Sequence, residues 1–145
     1  MKIPLALLLF AQTALAADVP YEVVKMPLQR AKAGAVNIKA ASRWNALWSA
    51  DEVKACGHAV PMPAPPAIDF NKHEIVGIFL GEGGSSRKDP VVVSVKDSAT
   101  ELVVFYRADK PPKGTVSVAR GVVTCPQVVI KIARTAKRVR VARAP

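Results

Sequence analysis

The chain has 145 residues, 50% of them hydrophobic and 22% charged, with 21 Lys and Arg against 11 Asp and Glu. That is too apolar for a disordered chain, and the length suffices for one domain. Eight Gly and twelve Pro without a repeat exclude collagen-like and Gly-rich low-complexity chains, and the length falls short of a (β/α)8 barrel or a dinucleotide-binding enzyme.

The first sixteen residues, Met1 to Ala16, read as an export signal. Lys2 supplies the positive n-region, Leu5 to Phe10 the apolar h-region, and Ala14-Leu15-Ala16 the small-x-small cleavage pattern. The apolar run is well short of the ~20 residues that span a bilayer. No Cys follows it, so no stable membrane anchor is expected, and the mature chain begins at Ala17 in a periplasmic or secreted setting. Residues 17–41 are predicted to hold the N-terminal strands, and 42–145 the rest of the same globular unit.

Pro20 to Gln29 predicts a short strand closed by Pro27, and Gly34 to Ala40 another. From Ser42 to about Cys56 the spacing predicts a helix, because Trp44, Leu47 and Trp48 fall at i, i+3 and i+4 on one stripe. Ser42 is a natural N-cap and Gly57 a natural stop. Ser49-Ala50-Asp51-Glu52 has capping-box form as well, so a second start is available there. Two tryptophans one turn apart suit either a ligand platform or the anchor of a helix on a sheet, and the anchor is the commoner use.

The prolines of Pro61-Met62-Pro63-Ala64-Pro65-Pro66 remove donors and fix φ, which leaves an extended connector. Glu74 to Leu80 (EIVGIFL) is a buried strand, followed by the turn-rich Gly81 to Asp89. Val91 to Val95 and Glu101 to Ala108 are β-branched runs joined by KDSAT and form the clearest hairpin. A proline loop follows at Asp109 to Gly114, then strands at Thr115 to Thr124, Gln127 to Ala133 and Lys137 to Ala142. These elements make an α+β, mostly β fold: a twisted antiparallel sheet or partial barrel with one packed helix.

Cys56 and Cys125 are the only cysteines, and in an oxidising compartment a lone pair is most simply a disulfide. Closing so long a loop stabilises a fold by about 4 kcal/mol in the chain-entropy account. No CxxC motif is present. A metal would recruit Cys56 and His58 with His73 or Cys125, but C-x-H is not a good ligand spacing by itself, so no metal or other cofactor is expected.

Charge is unevenly placed. Residues 17–109 carry eleven basic and eleven acidic side chains, whereas residues 110–145 carry nine basic and no acidic ones. In Arg138-Val139-Arg140-Val141 the alternation places arginines outward and valines inward. Arg138, Arg140 and Arg143 then form an electropositive face for an anionic envelope polymer, or else protect an exposed edge strand from aggregation. Nucleic acid is not expected, since export removes the chain from it and few aromatics interleave with the charges.

No catalytic set emerges. Gly81-Glu82-Gly83-Gly84-Ser85-Ser86 lacks the order of a phosphate loop. Ser85 or Ser86 with His58 or His73 and Asp69 lacks any nucleophile-elbow signature. Asp69 is expected to bond the backbone of the Asn71-Lys72 turn.

The order of signals resembles a known family. Trp44-x-x-Leu47-Trp48, Pro65-x-x-Ile68-Asp69-Phe70 and Glu74-Ile75-Val76-Gly77-Ile78-Phe79-Leu80-Gly81 are similar to the C-terminal domain of PrcB-like protease-complex subunits. Lys110-Pro111-x-x-Gly114 and Thr124-x-Pro126-x-x-Val129 extend the match. The chain departs from the pattern at Ser85, where the family tends to have Tyr, at Gln127, where it often has an aromatic, and in lacking the lipid-anchor cysteine. The resemblance implies a small, mostly β, non-catalytic domain outside the cytoplasm that accompanies a protein partner such as a secreted protease.

On this reading the contact segments are surface loops on a rigid sheet, with Gly81, Gly83, Gly84, Ser85, Arg87, Lys110, Pro112 and Lys113 as candidate contacts. The alternatives are polyanion binding through the basic C-terminal segment, or protease inhibition by the same loops.

Overall fold

The computed structural model describes residues 16–54, 56, 63–83, 87–109 and 124–145. Its organisation follows from one strand, β4 (His73–Phe79), which is apolar along nearly its whole length. A strand that is apolar on both faces needs cover on both faces. Ile75 and Phe79 face one core, with Trp44, Trp48, Val53 and Ile38, whereas Val76 and Ile78 face a second core.

β4 is central in a four-stranded antiparallel sheet of order β2-β7-β4-β3, with β2 (Glu22–Val23), β7 (Gln127–Ala133) and β3 (Gly34–Ile38). The helices cover one face of this sheet. Against its other face packs a second sheet of order β1-β5-β6-β8, built from β1 (Ala17–Asp18), β5 (Val91–Asp97), β6 (Glu101–Arg107) and β8 (Arg138–Arg143). Val92, Val95, Leu102 and Val104 meet Val76, Ile78, Ile130 and Ile132 between the sheets. The fold is therefore α+β and mostly β, in three layers: helices, inner sheet, outer sheet.

Several elements differ from the sequence expectation. Of the strand predicted over Pro20 to Gln29 only the two residues of β2 form, and the two-residue β1 precedes it in the other sheet. Pro20 explains this, because it has no N–H to continue a ladder. The chain leaves the outer sheet after Val19 N–H donates to the Val95 carbonyl (2.8 Å) and joins the inner one where Val24 N–H donates to Val129 (2.8 Å).

The predicted single helix is two, α1 (Ala41–Leu47) and α2 (Ala50–Lys54). Ala40, extended and without a side-chain cap bond, takes the N-cap position predicted for Ser42, and Trp48 leaves helical geometry at φ −102°, ψ 37°. The chain restarts at the second capping-box signal, where Asp51 and Glu52 occupy the first turn of α2. Gly57 lies outside the described residues, as does the strand predicted at Thr115 to Thr124 except for Thr124, which forms an isolated bridge with Gly83.

Every strand pair is antiparallel except β6 and β8, which are parallel. The exception arises because β7 belongs to the inner sheet. Residues 134–137 carry the chain across the sandwich, so β8 reaches the outer edge already running with β6.

Specific contacts hold the layers in place. Gly77 makes room for the Phe79 ring, since a Cβ there would lie 2.7 Å from two of its carbons. Trp48 then packs edge-on against Phe79 (6.0 Å between ring centres) and against Trp44 (5.6 Å). The Trp44 indole N–H donates to the Pro66 carbonyl at 2.9 Å, which ties the proline connector to α1. Glu74 is wholly buried; its carboxylate accepts from Asn37 Nδ2 (3.1 Å) and from the Thr135 backbone N–H (3.0 Å), with Lys39 Nζ at 3.7 Å.

Candidate partner-docking site

At one end of the sandwich the chain passes from β1, an edge of the outer sheet, to β2, an edge of the inner sheet. β1 pairs only with Asp97 and Lys96 of β5, so Val91 to Ser94 has no strand on that side among the described residues. Between this stretch and the β2 arm lies an open groove of about 680 Å³, lined by Tyr21, Val23, Lys25, Asp89, Val91 and Gln127 among others. A second, of about 280 Å³, adjoins it and is lined by Lys88, Asp89, Val91, Val93, Arg107 and Asp109. Asp89 and Val91 belong to both.

The large apolar side chains left exposed among the described residues all lie here: Tyr21 (36% exposed), Val23 (55%), Val91 (62%) and Val93 (44%). Val93 is exposed because β5 carries a bulge between Val92 and Ser94, which turns one extra side chain away from the core. Tyr21 is held in place by its hydroxyl, which donates to the Val92 carbonyl at 3.0 Å. Gln127 fixes the floor: its backbone N–H donates to Asp89 Oδ1 (3.1 Å), its Oε1 accepts from Arg30 N–H (3.0 Å) and its Nε2 donates to the Leu28 carbonyl (2.6 Å).

The two grooves together are lined by three cations, Lys25, Lys88 and Arg107, and two carboxylates, Asp89 and Asp109. Asp18 and Glu22 of the arm are already paired with Lys96 and Lys131. Lys25, Lys88 and Arg107 have no ion pair among the described residues.

The described residues of the first predicted contact loop lead into this end through Arg87 and Lys88. Gly81, at φ +79°, provides a turn that an L side chain would strain, and Ala33 lies 3.0 Å from where its Cβ would be. Gly83 exchanges backbone bonds with Thr124 (2.8 and 3.0 Å), and the Arg87 side chain lies against it. Arg87 leads into Lys88 and Asp89 at the grooves. Gly84, Ser85, Lys110, Pro112 and Lys113 lie outside the described residues, as do Ser86 and His58.

The three C-terminal arginines are not one face. Arg138 and Arg140 point outward from β8 and Val139 and Val141 inward, as the alternation predicts. Arg143 shares the parity of the valines and stacks over Tyr106, 5.8 Å from its ring centre. Arg140 is occupied as well, donating to both carboxylate oxygens of Glu101 (3.0–3.3 Å). That hydrogen bonding holds the Glu101 carboxyl below its ordinary value, against some desolvation, and the charges of Arg140 and Arg138 act the same way. The same bond, with the Glu101 charge, raises the Arg140 guanidinium.

Asp69 serves the turn as expected, its Oδ1 accepting from Asn71 N–H at 3.0 Å. Trp44 and Trp48 are buried in the helix–sheet core. Cys56 and Cys125 are bonded as a disulfide, with Cα atoms 6.2 Å apart, joining the end of α2 to the start of β7. Among the described residues no three His, Cys, Asp or Glu side chains gather at one point, and no helix is long and apolar enough to cross a membrane.

Sequence reasoning did not single out Tyr21, Val23, Lys25, Val91 or Val93. The one available signal was the uninterrupted Val91-Val92-Val93, which a strand with one solvent face does not need. In comparisons with family models, curated proteins and solved structures, the chain matches none.

Proposed function

We propose that the chain is an exported, non-catalytic accessory domain of the PrcB-like kind, which binds a protein partner such as a secreted or periplasmic protease. The observation that carries this reading is the gathering of Tyr21, Val23, Val91 and Val93 around two adjoining open grooves, beside the loop of Gly81 to Lys88. Elsewhere among the described residues apolar side chains of this size are covered to a greater degree, and an exposed cluster at one end is what a partner-binding surface requires. The export signal pattern at Met1 to Ala16 and the bonded Cys56–Cys125 pair support an extracytoplasmic setting.

Polyanion binding through the C-terminal arginines is less well supported, because Arg140 is paired with Glu101 and Arg143 is turned to the other face. A photoreactive amino acid placed at Val91 or at Lys72 in the exported, tagged protein tests the reading. Irradiation of living cells should give one recurrent extracytoplasmic protein adduct from Val91 and none from Lys72. The same adducts from both positions, or only self-links, would count against it.

A further inference from the structure

We infer that the β5 edge from Val91 to Ser94 is a strand-addition site for an extended, acidic segment of the partner, with apolar side chains at alternate positions. This rests on the proposed protein-binding reading and states how the partner is held. Three observations lead to it.

The first is an unfinished ladder. β1 covers β5 only at Lys96 and Asp97, with Val19 adding one bond to Val95, before Pro20 turns the arm toward the inner sheet. Beyond that point, among the described residues, the β5 edge receives one side-chain bond, from the Tyr21 hydroxyl to the Val92 carbonyl. An added strand would continue the line of β1 and use main-chain bonds for affinity.

The second is the lining. Successive side chains of an extended segment point to opposite sides. Those on the core side would enter the groove against Tyr21, Val23 and Val92, and those on the outer side would meet Val91, Val93 and the adjoining groove.

The third is charge. Lys25 stands at one groove and Lys88 and Arg107 at the other, against Asp89, which borders both, and Asp109, so the two grooves together carry one positive charge in excess. A segment with Asp or Glu beside its apolar residues matches these cations, and a basic segment is repelled.

The test is selection of random ten-residue peptides on the mature, disulfide-bonded chain, followed by affinity measurement and amide hydrogen exchange with the winning peptide. Expected winners alternate apolar residues and carry at least one acid. They should slow exchange in residues 91–94 at least tenfold, and lose at least tenfold in affinity when N-methylated at alternate positions. A K25E/K88E variant with an unchanged unfolding midpoint should bind the winner at least tenfold more weakly, and a peptide with Lys in place of its acids should recover the loss.

Winners without acids, winners that bind the variant equally, protection elsewhere, or an empty selection would each overturn strand addition at β5. A dimer of the wild-type chain that V91E dissociates would overturn it in favour of a second copy as occupant. A partner adduct from Val91 alongside any of these results leaves the protein-binding reading intact and removes only the docking mode. Absence of that adduct removes the reading itself.

Discussion

The Arg140 guanidinium forks onto the Glu101 carboxylate across the β6–β8 pair, with Nη2 3.0 Å from Oε1 and Nε 3.3 Å from both oxygens. It is a link between two strands that lie side by side in parallel, where the ladder itself is somewhat weaker than an antiparallel one.

The Glu101 carboxyl is held below its ordinary value by those hydrogen bonds. A carboxyl whose folded pKa is depressed adds stability that is present above its unfolded pKa and lost as pH falls through the folded one. E101Q should therefore be slightly less stable than the wild type at pH 7, and the two should converge in acid below the ordinary carboxylate range. Both groups are solvent-exposed, so the difference is small and declines in high salt. Thermal unfolding of both proteins from pH 7 to pH 2 measures it. A difference that persists unchanged in acid would assign the effect to packing.

The disulfide has a larger effect. Cys56 and Cys125 are separated by 69 positions and join α2 to β7, so the bond closes nearly half of the 145-residue chain into one loop. In the chain-entropy account the C56S/C125S variant should lose about 4 kcal/mol in urea unfolding. Reduction of the wild type should lower its midpoint to that of the variant and leave the variant itself unchanged. A loss below about 1 kcal/mol would mean that the reduced unfolded chain is already constrained.

Glu74 is the buried polar pin of the inner sheet. It joins Asn37 on β3, its own strand β4, and Thr135 in the crossing from β7 to β8. E74A leaves the Asn37 amide and the Thr135 N–H without that acceptor and opens a cavity. The expected loss is about 3 kcal/mol. In a double-mutant cycle with N37A the two losses should fall short of additive by about 1 kcal/mol, because each removes the same bond. Additive losses in urea unfolding would show that Asn37, which also donates to the Ile75 carbonyl, acts independently of Glu74.

These three cases show what the sequence makes legible. β4 was readable because its apolar run has no polar face, and a strand of that kind must be central. β5 and β6 were readable as a hairpin from β-branched runs on either side of a short polar link. The tryptophan stripe correctly marked a helix-to-sheet core, yet the break at Trp48 depended on which of two capping signals prevailed. Local pattern placed a strand around β2 but cannot say which sheet a two-residue strand joins, and it did not mark β1. Nor did it reveal the Glu74 pin, whose partners lie 37 and 61 residues away. The docking grooves depend on the same arm, and their exposed valines look like any strand valine until the neighbouring strand is seen to end.

The arginines of β8 can be assigned a role by choosing what replaces them. β8 forms the outer edge of its sheet over six residues, with Arg138 and Arg140 exposed on one face and no described strand beyond them. If two copies met edge to edge in antiparallel register, their arginines would come together, and like charges in cross-strand pairs are unfavourable. R138V/R140V should accordingly stay folded but associate, seen as a rise in sedimenting mass with concentration. R138K/R140K keeps the charge and should remain as the wild type. The serine triple R138S/R140S/R143S separates this from a polyanion site. Retention on an anionic polymer should fall only in proportion to the charge removed, with R143S alone having as much effect as R138S alone. Complete loss of retention in the triple variant, with full association behaviour unchanged in R138V/R140V, would reassign β8 from a guarded edge to a binding surface.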